Sequence, residues 1–286
     1  MTSHSNLAAM LMAIIVGTGL AQVASAAENE QTKRMVLVEL YTSQGCDMCP
    51  AAEKILGAIA DRGRDIVPIA FHIDYFNEPW KDVFSDSLYS QRQMTYNELY
   101  TKPKNAEYGL YYTPMLMIDG VQSVNGRDAA AAEAAIRRAR ARKPGVALEV
   151  DLDRKSDDLS GTATIKVTSR TALAEKSPLL VCAVLREDGV VTNVRSGENA
   201  GKALVARFPA RQTKYNFIEL DGKTPSTQRF SFVIEPEWNR QKLRLAVFVQ
   251  DKRTGVIHQS IDLPWRSTPT TPKTVTSTAA PGPAAR

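Results

Sequence analysis

The sequence predicts an α/β domain of order βαβαββα with a mixed sheet, followed by an antiparallel β-sandwich-like domain. Three observations carry this expectation. Apolar runs that suit strands alternate with helical patterns from Met35 to Gly145. Cys46-Asp47-Met48-Cys49-Pro50 stands where the first strand gives way to the first helix. From Val146 onward, short alternating runs follow one another with turn residues and no helix between them, the pattern of stacked antiparallel strands.

The first strand is Val36-Leu37-Val38-Glu39-Leu40-Tyr41. Ser43, Gln44 and Gly45 break it, and Ala51 to Ala60 then places Ile55, Leu56 and Ile59 on one helical face. Pro50 falls in the first helical turn, where a missing N–H costs little. Ile66 to Asp74 reads as a second strand, and Pro68 within it predicts a sheet edge. Asn77-Glu78-Pro79 interrupts the pattern, Trp80 to Tyr100 reads as helix, and Lys102 to Tyr108 as a polar connection. Two short strands flank Asp119-Gly120, the favoured pair for a two-residue hairpin turn. Asp128 can cap a helix from Ala129 to Arg142, which Pro144-Gly145 ends. Further strands are predicted at 146–152, 161–167, 179–185, 229–234 and 243–250, with others at 203–208 and 257–263. The domains are therefore drawn at 34–144 and 146–265.

With 43% hydrophobic and 23% charged residues over 286 positions, the chain has the apolar material for a sizeable core. A net charge of +5 predicts only weak attraction to anionic surfaces. The arginines at 137–142 lie where a helix dipole favours cations, so they read as a solvated helix end and no nucleic-acid partner is expected. Leu7 to Ala21 is apolar but short for a membrane span, and it leads into Ala24-Ser25-Ala26. Residues 1–26 accordingly read as a cleaved export signal, leaving no stable membrane span and placing the protein in the periplasm or outside the cell. Residues 267–286, rich in Ser, Thr, Pro and Ala, predict a disordered tail.

In an oxidising compartment the three cysteines make one local pair and one leftover. Cys182 lies within Leu179 to Leu185, an apolar strand-like run, and reads as a buried, inert thiol. Cys46 and Cys49 form a redox device, because unpaired N–H groups and the dipole at a helix start stabilise a thiolate. Cys46 is expected to be exposed and the more acidic attacking thiol, with Cys49 shielded, and Asp47 to work against a very stable thiolate. A structural disulfide is one alternative. A soft-metal site of the Cu(I) type, built from Cys46, Met48, Cys49 and His72, is another. Otherwise His72 reads as a hydrogen-bonded structural residue. Gln44, Asp74, Trp80, Asp82 and Arg92 either line a groove beside the thiols or hold the helical insertion in place. No cofactor is expected, and Gly197-Glu198-Asn199-Ala200-Gly201 reads as a turn or an interdomain contact.

The element order, with C-x-x-C after the first strand and Thr113-Pro114 just before the third, is that of a minimal thioredoxin-like domain. Such a domain implies a cis proline that faces the thiols and exposes the preceding backbone to a substrate strand. Glu39 to Cys46 with Cys49-Pro50, His72 to Tyr75, Trp80-Lys81-Asp82, Arg92-Gln93 with Tyr96, Tyr112-Thr113-Pro114 and Gly197 to Gly201 resemble a bacterial family of secreted thioredoxin-like proteins of unknown function. The resemblance spans roughly Val36 to Pro264 and implies a fold and a compartment, not a reaction. Gly45 stands where thioredoxin has a tryptophan, and Asp47-Met48 where it has Gly-Pro, so neither partner specificity nor redox potential is implied. The function expected is a thiol-disulfide oxidoreductase acting on protein thiols and disulfides, with Cys46 and Cys49 catalytic and Thr113 and Pro114 binding substrate. A soft-metal binding module and a non-catalytic interaction protein with a structural disulfide are the alternatives.

Overall fold

The computed structural model describes residues 34–265 apart from 64, 101–108, 156, 158 and 171–177. The expected export signal at 1–26, the polar connection at 102–108 and the disordered tail at 267–286 lie outside the described residues.

Four strands, β1 (Val36–Thr42), β2 (Ile66–His72), β3 (Met115–Ile118) and β4 (Gln122–Asn125), form a sheet of order β2-β1-β3-β4. Pro68 therefore lies on an edge strand, where its missing N–H breaks no ladder. Helices α1 (Cys49–Arg62), α2 (Ser87–Leu99) and α3 (Ala129–Arg140) connect or flank these strands. The second helix starts seven residues later than Trp80, because Asp86 caps it through Leu88 N–H and Asp82 holds the preceding turn at Phe84 N–H. The Asp119-Gly120 hairpin has a three-residue loop, with both residues at positive φ and Val121 N–H closing on Ile118 O.

The remainder of the described chain consists of strands, the loops between them and one 3₁₀ turn at Arg240–Lys242. β7 (Leu179–Glu187), β10 (Ala210–Ile218), β12 (Leu243–Asp251) and β13 (Ile257–Pro264) form a sheet of order β10-β7-β12-β13. β5 (Val146–Arg154), β6 (Ser160–Ser169) and β11 (Ser226–Val233) form another of order β11-β6-β5, and β8 (Val190–Asn193) pairs only with β9 (Ala203–Ala206). The strand β10 escapes sequence reading because Ala-Arg-Gln-Thr-Lys-Tyr-Asn-Phe-Ile mixes polar and apolar residues without a clean alternation.

The expected fold class is corrected by this architecture. The chain does not form a self-contained βαβαββα thioredoxin-like α/β domain with a sandwich appended; it is a mostly β protein, with three α-helices among the described residues, and the β1–β2 ladder is parallel while every other ladder between named strands is antiparallel. The physical reason lies in β7 and β12, which are apolar on both faces. Val181, Ala183, Leu185, Leu245, Val247 and Val249 face the β11-β6-β5 sheet, while Cys182, Val184, Ala246 and Phe248 face Leu37, Tyr41, Val67, Ile69 and Phe71 of the first sheet. A third core, Val36, Val38, Leu40, Leu56, Ile59 and Ile136, joins the opposite face of that first sheet to α1 and α3. Alternating residues of β1 thus enter two different cores, as the two-residue period of a strand requires.

Candidate functional site

The strand β1 ends at Thr42, and Ser43-Gln44-Gly45 turns the chain so that Cys46 precedes the first turn of α1. Gly45 is needed there, since a Cβ would stand 2.9 Å from Phe76 O. Met48 occupies the N-cap without a side-chain hydrogen bond, so no capping group competes for the N–H groups at the start of α1. Those groups are available to a thiolate.

Cys46 and Cys49 are free thiols, and both are buried, at 1% and 0% exposure. Hydrogen bonding from the Cys49 thiol lowers the Cys46 pKa to about 7; burial opposes this, and the Thr113 hydroxyl and the Met48 and Cys49 N–H groups add to it. The Thr113 hydroxyl has no other partner. Burial, and then the Cys46 thiolate beside it, push the Cys49 thiol well above the ordinary range. The pair is therefore asymmetric, with Cys46 the more acidic thiol, but Cys46 is not the exposed group the sequence suggested.

Thr113-Pro114 is a cis peptide, as is Glu78-Pro79. Pro114 lies against the first turns of α1, because a Cβ added at Gly126 would meet Pro114 Cβ and Ala52 Cβ at 2.9 Å each. Tyr75, whose ring lies tilted against Tyr111 at 4.6 Å and whose hydroxyl donates to Gln93, is held above the ordinary tyrosine range by burial first, with Tyr111 and then the two thiols adding to it.

Behind Cys49 lies a buried set of ionisable groups. His72 Nδ1 and Asp82 Oδ2 are 2.7 Å apart, and His72 Nε2 is 3.5 Å from Glu53 Oε1. Asp82 Oδ2 also accepts from Gln44 N–H at 2.7 Å, and Glu53 Oε2 from Arg207 N–H at 2.8 Å. Burial raises the Glu53 pKa to about 7. Burial works against charge on both His72 and Asp82, but their mutual attraction outweighs it, raising His72 and lowering Asp82. Thr42, Gln44, Cys49, Pro50 and Glu53 line a cavity of about 480 Å³ on this side, with the Gln44 amide lacking protein partners at both Nε2 and Oε1.

The sequence-predicted site residues thus divide. Gln44, His72 and Asp82 gather at the thiol loop. Asp74 binds Ser90 of α2. The Arg92 guanidinium belongs to a separate buried network with Glu39 at 2.6 Å, the Tyr96 hydroxyl and Gln250. His72 faces Asp82 and Glu53, and among the described residues no three His, Cys, Asp or Glu side chains converge as a metal centre. Trp80 lies under the segment that the sequence reads as a turn or an interdomain contact: Gly197, between β8 and β9, sits 3.7 Å from Trp80 Cβ, measured from an added Cβ. Here Asn199, with no exposed surface, donates from Nδ2 to Gln44 O at 2.8 Å and Cys46 O at 2.9 Å, while Glu198 Oε2 accepts from Asp47 N–H at 2.9 Å. The Gly-Glu-Asn-Ala-Gly phrase was the available signal for these residues, and the four-residue spacing from Cys49 was the one for Glu53.

Among solved structures, protein AGR_C_4864 from Agrobacterium tumefaciens is 20% identical, with a TM-score of 0.58 over 82% of this chain and 95% of that one. HBP35 of Porphyromonas gingivalis is 13% identical, with a TM-score of 0.61 over 87% of this chain and 81% of that one. Both likenesses concern the fold. No curated protein matches the chain. The family described as "Protein of unknown function (DUF1223)" matches residues 37–250, well over half of the sequence, and the chain belongs to that family.

Proposed function

We propose that the protein is an exported thiol-disulfide oxidoreductase that exchanges electrons with protein clients through Cys46 and Cys49. The observation that carries this reading is the asymmetry of the pair: one thiol is held near neutrality at a helix start, and its neighbour is kept protonated until needed. The Cys46 thiolate attacks one sulfur of a client disulfide, the client S–S bond breaks, and one client thiolate leaves. Cys49 then gives up its proton and attacks the Cys46 sulfur. The Cys46-Cys49 bond forms, the second client thiolate departs, and the client has gained the two electrons that the pair has lost. Run in reverse, the oxidised pair transfers a disulfide to a client dithiol. The Thr113 hydroxyl bonds Cys46, and in this reading Thr113 and Pro114 serve as the client-binding edge.

The test is to trap the intermediate. Cys49→Ser expressed in the native compartment is expected to accumulate mixed disulfides, seen as bands that collapse on reduction, and Cys46→Ser to accumulate none. Adducts with neither variant, or equally with both, would remove the reading.

A further inference from the structure

We infer that the tip of the β8–β9 hairpin, Ser196 to Gly201, is a cover on Cys46 that a client chain displaces by taking over its hydrogen bonds, which makes Asn199 and Glu198 determinants of substrate class. The inference rests on the thiol-disulfide reading of the same site. Disulfide exchange requires a second sulfur to approach Cys46 in line, and at 1% exposure Cys46 offers no such approach. Some element beside it must move. Thr113-Pro114 is joined to the first sheet, Phe76 to a turn tied down by Asp74, Asn77 and Asp82, and α1 to the core beneath it. The hairpin differs, because among the described residues β8 and β9 pair with each other and with no other strand.

Its hold on the thiol loop is polar and countable. Asn199 donates to Gln44 O and Cys46 O, Asp47 N–H donates to Glu198, and the Ser196 hydroxyl donates to Pro79 O at 2.9 Å. The tip itself is a closed unit: Gly201 N–H bonds Val194 O, Val194 N–H bonds Lys202 O, Lys202 N–H bonds Asn199 O, and Lys202 Nζ bonds Asn199 Oδ1. Gly197 and Gly201 supply the positive φ that shapes it. The tip therefore lifts as a body rather than fraying. What it uncovers is one backbone donor, Asp47 N–H, and two carbonyls, Gln44 O and Cys46 O. An extended client segment can satisfy all three. A small disulfide reagent cannot, so for it the covered state is a barrier that nothing offsets. The class of substrate that fits is a disulfide in a flexible, extended chain segment rather than a low-molecular-weight disulfide.

The experiment compares Asn199→Ala with the unaltered protein, both reduced and in the Cys49→Ser background. Rates with iodoacetamide and with an aromatic disulfide reagent are expected to rise roughly ten- to thirty-fold, the opening that follows loss of two hydrogen bonds. The rate with a denatured disulfide-containing protein is expected to change less than three-fold. The alkylation midpoint is expected to be the same with and without the Asn199→Ala change, which separates uncovering from a change in the thiol itself. Unchanged small-reagent rates, or a rise matched by the denatured protein, would overturn the inference. If Asn199→Ala does not fold, Ser196→Ala with Glu198→Ala, which removes the other two bonds, is expected to raise the same rates, and no rise there overturns it equally. Alkylation reads access whether or not clients react, so the cover can stand while trapping fails, and the converse.

Discussion

Glu53 shows how a single side chain near the thiols ties the site to the stability of the whole molecule. Its carboxyl is raised from an ordinary value of 4.5 to about 7 by burial, so the folded protein keeps a proton that the unfolded chain releases. The native state thus binds more protons between those values, and stability must fall as pH rises through them. His72, also raised, acts in the same direction and loses its contribution as pH passes its folded value above 6.5. Asp82 is lowered, so its contribution is fully present above 3.8 and is lost only as pH falls below that value, outside this window. The Glu53 part amounts to about 3 kcal/mol at ~1.4 kcal/mol per pH unit. Urea midpoints are expected to drop between pH 5 and pH 8 in the unaltered protein and to drop much less in Glu53→Gln; equal slopes would sink the argument. At this scale the sequence declared the chemistry that is local. Cys46 and Cys49 are recognisable from spacing, and Thr113-Pro114 from its place before a strand. Glu53 and Asn199 were not, because what makes them unusual is burial created by Arg207 and by the Cys46 loop, more than a hundred residues distant from one or the other.

At the scale of elements, the thiol loop is fixed by how closely α1 approaches the turn around Pro114. Gly126 is the spacer. Its N–H donates to Pro114 O at 2.9 Å, and an added methyl would crowd Pro114 Cβ and Ala52 Cβ at 2.9 Å and Pro114 O at 3.1 Å. Two of these three atoms belong to Pro114 in a fixed turn and the third to Ala52 near the start of α1, so neither neighbour can swing aside. Gly126→Ala is expected to cost about 1–3 kcal/mol by overpacking and to slow client exchange, since the displaced turn carries Thr113 away from Cys46. A midpoint and an exchange rate both equal to those of the unaltered protein would refute it. Elements with strong periodicity, β1, α1, β7 and β12, were readable because each has a face that must be buried whatever its partners. Of the β8–β9 hairpin only β9 was readable, as the strand expected at 203–208; the pairing was not, because Val191 and Val205 sit opposite each other yet are 63% and 52% exposed, and the hairpin's role comes from what its tip touches.

At the scale of the molecule, the seam between the first sheet and the β10-β7-β12-β13 sheet decides whether the chain behaves as one body. That division was invisible in the sequence, where a strand apolar on both faces reads the same whether its second face meets a helix or another sheet. Phe248 fills the seam: it is fully buried in the core that also holds Leu37, Tyr41 and Phe71, and the Arg92 guanidinium lies 4.9 Å from its ring centroid. Beside it runs the buried Arg92-Glu39 pair, whose Gln250 and Tyr96 hydrogen bonds link β12, α2 and β1. Separating the two sheets would expose this apolar surface and break the hydrogen bonds that Gln250 of β12 makes to Arg92 and to the Tyr96 hydroxyl. The sheets should therefore unfold together. The far-UV helix signal reports α1 to α3, whereas fluorescence is weighted to Trp238 and Trp265 in the distal core. Both are expected to fall at one urea midpoint. Phe248→Ala, at a cost of about 3–5 kcal/mol, is expected to move both midpoints down by the same amount. A variant in which fluorescence keeps its midpoint while the helix signal shifts would show two independent bodies and overturn the shared core as the source of cooperativity.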